Sequence, residues 1–378
     1  MGFCDNTENL YTRFLTLHHM SPKKWRNDFS DISSYFHIVN FSTFNKQELL
    51  NSKIVSFAKK YKNCYIILNY SLEGYAYLSF NTIHAFVKEA GLENKVIFLC
   101  GNYGTELEYK HWCNNTKTQK EFFVLSFNIF FNTAQDWCND GNAKFSEAKN
   151  KWFCCLNHRP HPHRLASVTY LDYLGLLDQG IVTCHDASYE PGGTLIENNY
   201  DTTIQNSHRF WDKAYYDMLM NTYLKTKKKL PLVYDIPDLS DGCQPNNFNP
   251  EIYDNCLVNL VTETFCLNIL NFESEMFITE KTIKAIITNQ IFIIIGPRGI
   301  LKKLKSMGFK TFSKFFDESY DSMPDSIRPF KAIDTLNDIM KKYTIEELDV
   351  LTRDVRAHNL KTLMNSKFNI NLMKRLHL

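Results

Sequence analysis

The chain has 378 residues, of which 44% are hydrophobic and 14% aromatic. That is too apolar for a disordered or fibrous protein and too long for one ordinary domain. With 43 Lys and Arg against 41 Asp and Glu, the formal net charge is only +2, which excludes a global field for nucleic acid or acidic membrane, so any anion site has to be local.

The 11 cysteines are scattered singly apart from Cys154-Cys155, which points to a reducing compartment rather than a disulfide framework. Met1 to Met20 lacks the basic start and apolar stretch of a secretory signal. No apolar run approaches the about 20 residues that cross a bilayer. The expectation is a cytoplasmic protein without a membrane span.

In chain order, Cys64 to Leu68 reads as a strand, Ile83 to Ala90 as a helix and Val96 to Cys100 as a second strand, a β-α-β pattern that favours a parallel sheet. The segments Asn69 to Gly74 and Gly101 to Gly104 follow those strands, where open α/β sheets keep their ligand sites. Glu73, beside Gly74, and Glu106 are therefore candidate carboxylates, against the plainer reading of exposed loop charges. Val124 to Phe131 reads as a buried strand. The polar stretch Cys138 to Lys151 sets the expected boundary near residue 150, between an amino-terminal Rossmann-like domain over 1–150 and a carboxyl-terminal domain over 151–378.

Beyond it come a strand, Trp152 to Leu156, and a helix, Leu165 to Leu174. The region Gly192 to Asn249, rich in Asn, Asp, Gly and Pro, reads as irregular structure over a cleft, interrupted by a helix from Phe210 to Leu224. From Cys256 the pattern is again Rossmann-like: strand Leu257 to Thr262, helix Glu280 to Thr288, strand Ile291 to Ile295, turn Gly296-Pro297, helix Ile300 to Met307 and a short strand Lys310 to Phe312. Apolar positions at Ile333, Leu336, Ile339 and Met340, then Leu348, Leu351, Val355 and Leu360, give two or three closing amphipathic helices.

Three segments carry chemistry. The loop Asn157-His158-Arg159-Pro160-His161-Pro162-His163-Arg164 feeds a helix amino terminus, so backbone N–H groups and the macrodipole would join Arg159 and Arg164 in holding phosphate oxygens. Its alternatives are a solvated turn and a metal site of His158, His161 and His163. The metal site is disfavoured because the three sit in one Pro-interrupted loop without a helical register. In Thr279-Glu280-Lys281, Thr279 caps a helix, Glu280 suits sugar or ribose hydroxyls and Lys281 suits a phosphate; the alternative is an ordinary helix start. Glu263, at the end of an apolar strand, faces the ligand edge of an α/β sheet or else caps a neighbouring helix.

Taken in this order, the segments resemble the α1,3-fucosyltransferase family and the viral and bacterial proteins that share its carboxyl-terminal domain. In that family a Ser-Asn pair is followed seven residues later by an arginine and a helix with Tyr and Leu, as Asn157 is by Arg164, Tyr170 and Leu171. A Phe-Glu-Asn-Ser strand end is similar to Thr262-Glu263-Thr264. Tyr-Val-Thr-Glu-Lys before an apolar strand and Gly-Pro is similar to Phe277 to Lys281 and Ile291 to Pro297. The likeness covers residues 152 to 315 and departs at Leu156, Thr264 and Phe277, where the family has Ser, Asn and Tyr.

The resemblance implies an α/β, GT-B-like fold, with two Rossmann-like domains facing a central cleft and helices at the carboxyl terminus. It implies a nucleoside-diphosphate sugar as co-substrate, held by Arg164, Glu263, Glu280 and Lys281; Asn157, Arg159 and Thr279 complete the candidate donor-binding set, and no metal or other cofactor is expected. Glu73, with Glu106 in reserve, would take the proton of an acceptor hydroxyl. The neutral charge balance favours a glycan acceptor. Two other readings stand beside it: a hydroxymethylated DNA base as acceptor, its phosphates gripped by Lys225 to Lys229, and a transferase fold retained only as a binding module.

Overall fold

The computed structural model describes residues 35–41, 44–62, 64–74, 76–139, 149–158, 161–185, 187–189, 195–232, 250–266 and 276–365. Two compact units divide the chain, the first running to Ile129 and the second from Phe130 to Phe368. The fold class is α/β, with a parallel sheet and flanking helices in each unit, as a GT-B-like protein requires.

The first unit holds β1 (Tyr35–Asn40), β2 (Cys64–Tyr70), β3 (Val96–Cys100) and β4 (Phe123–Ser126), all parallel and in that spatial order. The middle strands are continuous apolar runs because both faces are covered. Ile66, Leu68 and Phe98 face one cluster, with Phe80, Ile83, Phe86 and Val87 of the helix Ser79–Ala90. Ile67, Ile97 and Leu99 face another, with Leu125 and Phe127. The Ser79–Ala90 helix ends on Gly91 at φ 59°, a left-handed C-cap that glycine adopts without steric cost.

In the second unit β5 (Lys151–Leu156) pairs with β6 (Gly180–Thr183), and a small antiparallel pair, β7 (Ala187–Tyr189) and β8 (Leu195–Asn199), follows. The main sheet is completed by β9 (Cys256–Thr262) and β10 (Ile291–Ile295), all parallel in the order β10-β9-β5-β6. The chain leaves β5 toward β6 on one side and returns on the other to form β9. That reversal creates a topological switch point between β5 and β9, the place where a crevice opens at the carboxyl ends of an open α/β sheet.

Two expected strands differ. In Val124 to Phe131 only β4 is extended, and a helix, Ile129–Asn139, begins within the run. Phe127, Phe130 and Phe131 are all buried, and their spacing of three and four is helical rather than alternating. From Phe130 on the helix belongs to the second unit, where Phe130 packs against Phe277, Phe131 packs against Phe309, and Gln135 Nε2 donates to the Met364 carbonyl. Lys310 to Phe312 forms no strand. The backbone of Lys310 is taken by Asn359, and the amide of Phe312 by Glu318, so these groups are bonded outside a ladder. The chain closes with two helices, Arg328–Lys342 and Ile345–Asn365.

Arg328 is 1% exposed and holds the loops at the carboxyl edge. Its Nε donates to the Gly296 carbonyl at 3.1 Å, Nη2 to the Cys266 carbonyl at 2.5 Å, and Nη1 to the Met323 carbonyl at 3.0 Å and Asp325 at 2.7 Å. Arg328→Met should strand these acceptors and lower the stability of the second unit by about 3 to 5 kcal/mol. Denaturant titration checks this, and a loss under about 1 kcal/mol would contradict it.

Candidate functional site at the switch point of the second sheet

The strand ends at the switch point are joined to one another. After β5, the Asn157 amide N–H donates to Thr183 Oγ1 at 2.8 Å, and its side-chain oxygen accepts from Thr262 Oγ1 at 2.6 Å. Asn157 is 3% exposed, and these bonds make it a tie between β5, β6 and β9. His158 lies edge-on to His185, with ring centroids 4.8 Å apart. Arg159 lies outside the described residues.

The cation-rich loop then enters the helix Pro162–Tyr173, with His161 as an extended N-cap and Pro162 in the first turn, where its missing N–H costs nothing. His163 and Arg164 follow, 3% and 4% exposed. His163 Nε2 lies 2.8 Å from the Glu263 carbonyl. A carbonyl only accepts, so the proton sits on Nε2. Burial, then the charges of Arg164, His161 and Lys281, hold the imidazole well below its ordinary pKa of 6.5, so it is neutral.

On the other side, Glu263 follows β9 and is fully buried. Its carboxylate accepts from Thr264 N at 3.3 Å, Thr279 N at 3.1 Å, Thr279 Oγ1 at 2.5 Å and Thr282 Oγ1 at 2.5 Å. Of its two readings, the structure supports the cap: Glu263 fastens the start of the helix Glu280–Ile287. Thr279, the N-cap, passes the link on by accepting from the Lys281 amide at 3.3 Å. A Cβ at Gly296 would sit 3.2 Å from Glu263 Cγ, so glycine leaves room for the buried side chain.

Beyond this cap the helix presents a cation. Lys281 Nζ is 2.6 Å from Glu280 Oε1 and 3.4 Å from Thr264 Oγ1, and its side chain is 27% exposed against 9% for Glu280. Burial works to raise the Glu280 pKa, but Lys281 and Lys284 outweigh it and hold it below the ordinary 4.5. The helix of Arg164 follows β5 and the helix of Lys281 follows β9, the two strands that flank the switch point, and a guanidinium and an ammonium at helix amino termini are donors of the kind that suits the charged oxygens of a diphosphate. Among the described residues no group of three His, Cys, Asp or Glu side chains is placed to hold a metal ion.

Glu73 and Glu106 belong to the first unit. Glu73 is exposed after β2, its carbonyl accepting from the Gly101 amide at 3.0 Å, and Glu106 is exposed in the first turn of the helix Thr105–Thr116. Three lysines of the run are used internally. Lys225 and Lys229 pair with Asp172 at 3.6 and 2.6 Å, Lys227 pairs with Asp201, and Thr226 Oγ1 donates to Asp172 at 2.9 Å. The run anchors its own helix, Lys213–Lys227, to the helix Pro162–Tyr173.

Sequence reasoning missed the supports: His163 as a brace, Thr183 and Thr262 on Asn157, and the segment Asp317 to Asp321. There Asp321 caps the helix Ile300–Ser306 through the amides of Leu301 and Lys302, and the Tyr320 hydroxyl accepts from the Ile294 amide. The available signal was a tyrosine flanked by acids just before a helix.

No family model matches the chain, and no curated protein matches it. Among solved structures, the crystal structure of a glycosyltransferase from Rickettsia africae ESF-5 is similar over 98% of this chain and 81% of that one, at 11% identity and a TM-score of 0.38. A likeness of that size leaves the functional reading to the residues.

The neutral His163 gives a pH prediction. Its folded pKa lies below 6.5, so the stability it contributes is complete above about pH 6.5 and is lost as pH falls from there toward the folded value, with a slope of at most about 1.4 kcal/mol per pH unit. Unfolding measured from pH 7.5 to 5 should show a shallower acid limb in His163→Gln than in the wild type. Identical slopes would contradict the assignment.

Proposed function

We propose that the protein is a glycosyltransferase that binds a nucleoside-diphosphate sugar at the switch point of the second unit without a metal ion. The feature that supports this reading is the placement of Arg164 and Lys281, each in the first turn of a helix that follows one of the two strands flanking the switch point, with His163 beside Arg164 bonded to the Glu263 carbonyl and Glu263 capping the helix of Lys281. Fixed cations aimed at a leaving diphosphate supply the charge stabilisation that a divalent ion supplies elsewhere.

In the reaction, the acceptor hydroxyl oxygen forms a bond to the anomeric carbon while the bond from that carbon to the diphosphate oxygen breaks. The electron pair leaves with the diphosphate, toward Arg164 and Lys281. The hydroxyl proton passes to a carboxylate, for which Glu73 is the first choice and Glu106 the second, since both are exposed at the carboxyl edge of the first sheet. Glu263 and Thr279 orient Lys281, and Asn157 fixes the strand ends. A glycan acceptor is favoured over DNA because the lysine run is engaged with Asp172 and Asp201. The resemblance to fucosyltransferases suggests fucose or a related hexose as the group moved.

The test is a thermal-shift panel of nucleoside diphosphates with a chelator present. One class should stabilise the wild type by about 2.7 kcal/mol at a hundred times its Kd, and neither Arg164→Ala nor Lys281→Ala should respond. Equal stabilisation of both variants would discard the site. With the donor identified, Glu73→Gln should cut kcat by on the order of a hundredfold or more while leaving donor affinity unchanged. A loss confined to Glu106→Gln would exchange the two roles. Oligosaccharides assayed beside duplex DNA with hydroxymethylated bases separate the acceptors.

A further inference from the structure

The two cationic arms of the site come from segments far apart in sequence, yet a diphosphate can bridge them only if their separation is fixed. Among the described residues, side-chain hydrogen bonds cross from one segment to the other. Thr262 to Asn157 joins the strand ends themselves. His163 to Glu263, spanning 100 residues of sequence, joins the start of one helix to the residue that caps the other. The second bond is linked through the chain to both cations. His163 is the residue before Arg164, and the Glu263 side chain holds Thr279 and Thr282, which flank Glu280 and Lys281.

The brace is built to be rigid. The imidazole is 3% exposed, the carbonyl it meets belongs to a fully buried residue, and the ring lies stacked on His161 with centroids 5.9 Å apart. The Glu263 amide is in turn fixed to the Ile295 carbonyl at 2.9 Å, so the brace stands on β9 and β10 together. A shift of Glu263 moves the cap and with it Lys281. A shift of His163 moves the first helical turn and with it Arg164.

We propose that His163 is a positioning residue that sets the spacing between Arg164 and Lys281, so that a ligand bridging both fits while a ligand held by one arm is indifferent to it. This rests on the diphosphate reading given above. It adds a selectivity for pyrophosphate over single phosphate that arises from a residue which touches the ligand only through its neighbours.

The test compares GDP, UDP, CDP and dTDP with their monophosphates by titration calorimetry on the full chain, below the melting temperature of every variant. His163→Ala should weaken the diphosphate that the wild type prefers by about tenfold, the scale of one lost hydrogen bond, and leave its monophosphate nearly unchanged. His163→Gln, whose amide nitrogen can still reach the Glu263 carbonyl, should restore the diphosphate preference. His163→Asn, which is too short, should not. Asn359→Ala breaks a buried link to Lys310 away from the site, so it serves as a control that lowers stability without changing the ratio.

Equal weakening of diphosphate and monophosphate in His163→Ala, or failure of His163→Gln to restore the ratio, would overturn the proposal while leaving the diphosphate site standing. A wild type that binds none of the eight nucleotides would remove the site and the proposal together.

Discussion

The buried carboxylate of Glu263 is the constraint on which the second unit's ligand edge depends. A charge with no exposed surface is tolerable only when its oxygens are fully hydrogen-bonded, and here two threonine hydroxyls and two amides meet that demand. Satisfying the carboxylate also fixes the geometry. Apart from the Thr264 amide, the groups that satisfy it are the cap and first turn of the helix that carries Lys281, and its own carbonyl receives the imidazole that precedes Arg164. One desolvated anion thereby orders two cations.

A second layer of buried polar contacts stabilises the same edge from behind. Arg328 donates to the carbonyls of Cys266 and Gly296, one beyond β9 and one beyond β10, while Asp321 and Tyr320 fasten the exit of β10 and the helix after it. Arg356 does comparable work at the opposite end of β10, donating to the Asn289 carbonyl and to Asp349. Among the described residues, these contacts tie the segments at both ends of β10 and the segment after β9 to strands and helices, as a preorganised site requires.

The parts legible in the sequence were those set by local pattern. Val96 to Cys100 and Ile291 to Ile295 are continuous apolar runs because they are buried on both faces, and their bounds could be read directly. Asn157, Arg164, Glu263 and Lys281 could be found because they follow such strands or open helices. Less legible were β1, where His37 interrupts the apolar pattern, and β6, a short edge strand starting at Gly180. The role of Glu263 could not be decided, since a strand-end carboxylate fits a ligand and a cap equally well, and the threonines that decide it lie 16 and 19 residues away. Arg328 left no trace, because its partners are mostly backbone carbonyls up to 62 residues distant. Lys225 to Lys229 looked like a free patch for the same reason: Asp172 is more than fifty residues earlier, at |i−j| of 57 from Lys229.

The most direct measurement is a crystal structure of the protein with the nucleoside diphosphate it binds most tightly. The account predicts the diphosphate between the carboxyl ends of β5 and β9, with phosphate oxygens about 2.7 to 3.2 Å from the Arg164 guanidinium and from Lys281 Nζ. A diphosphate bound elsewhere, or bound there without touching either side chain, would contradict it.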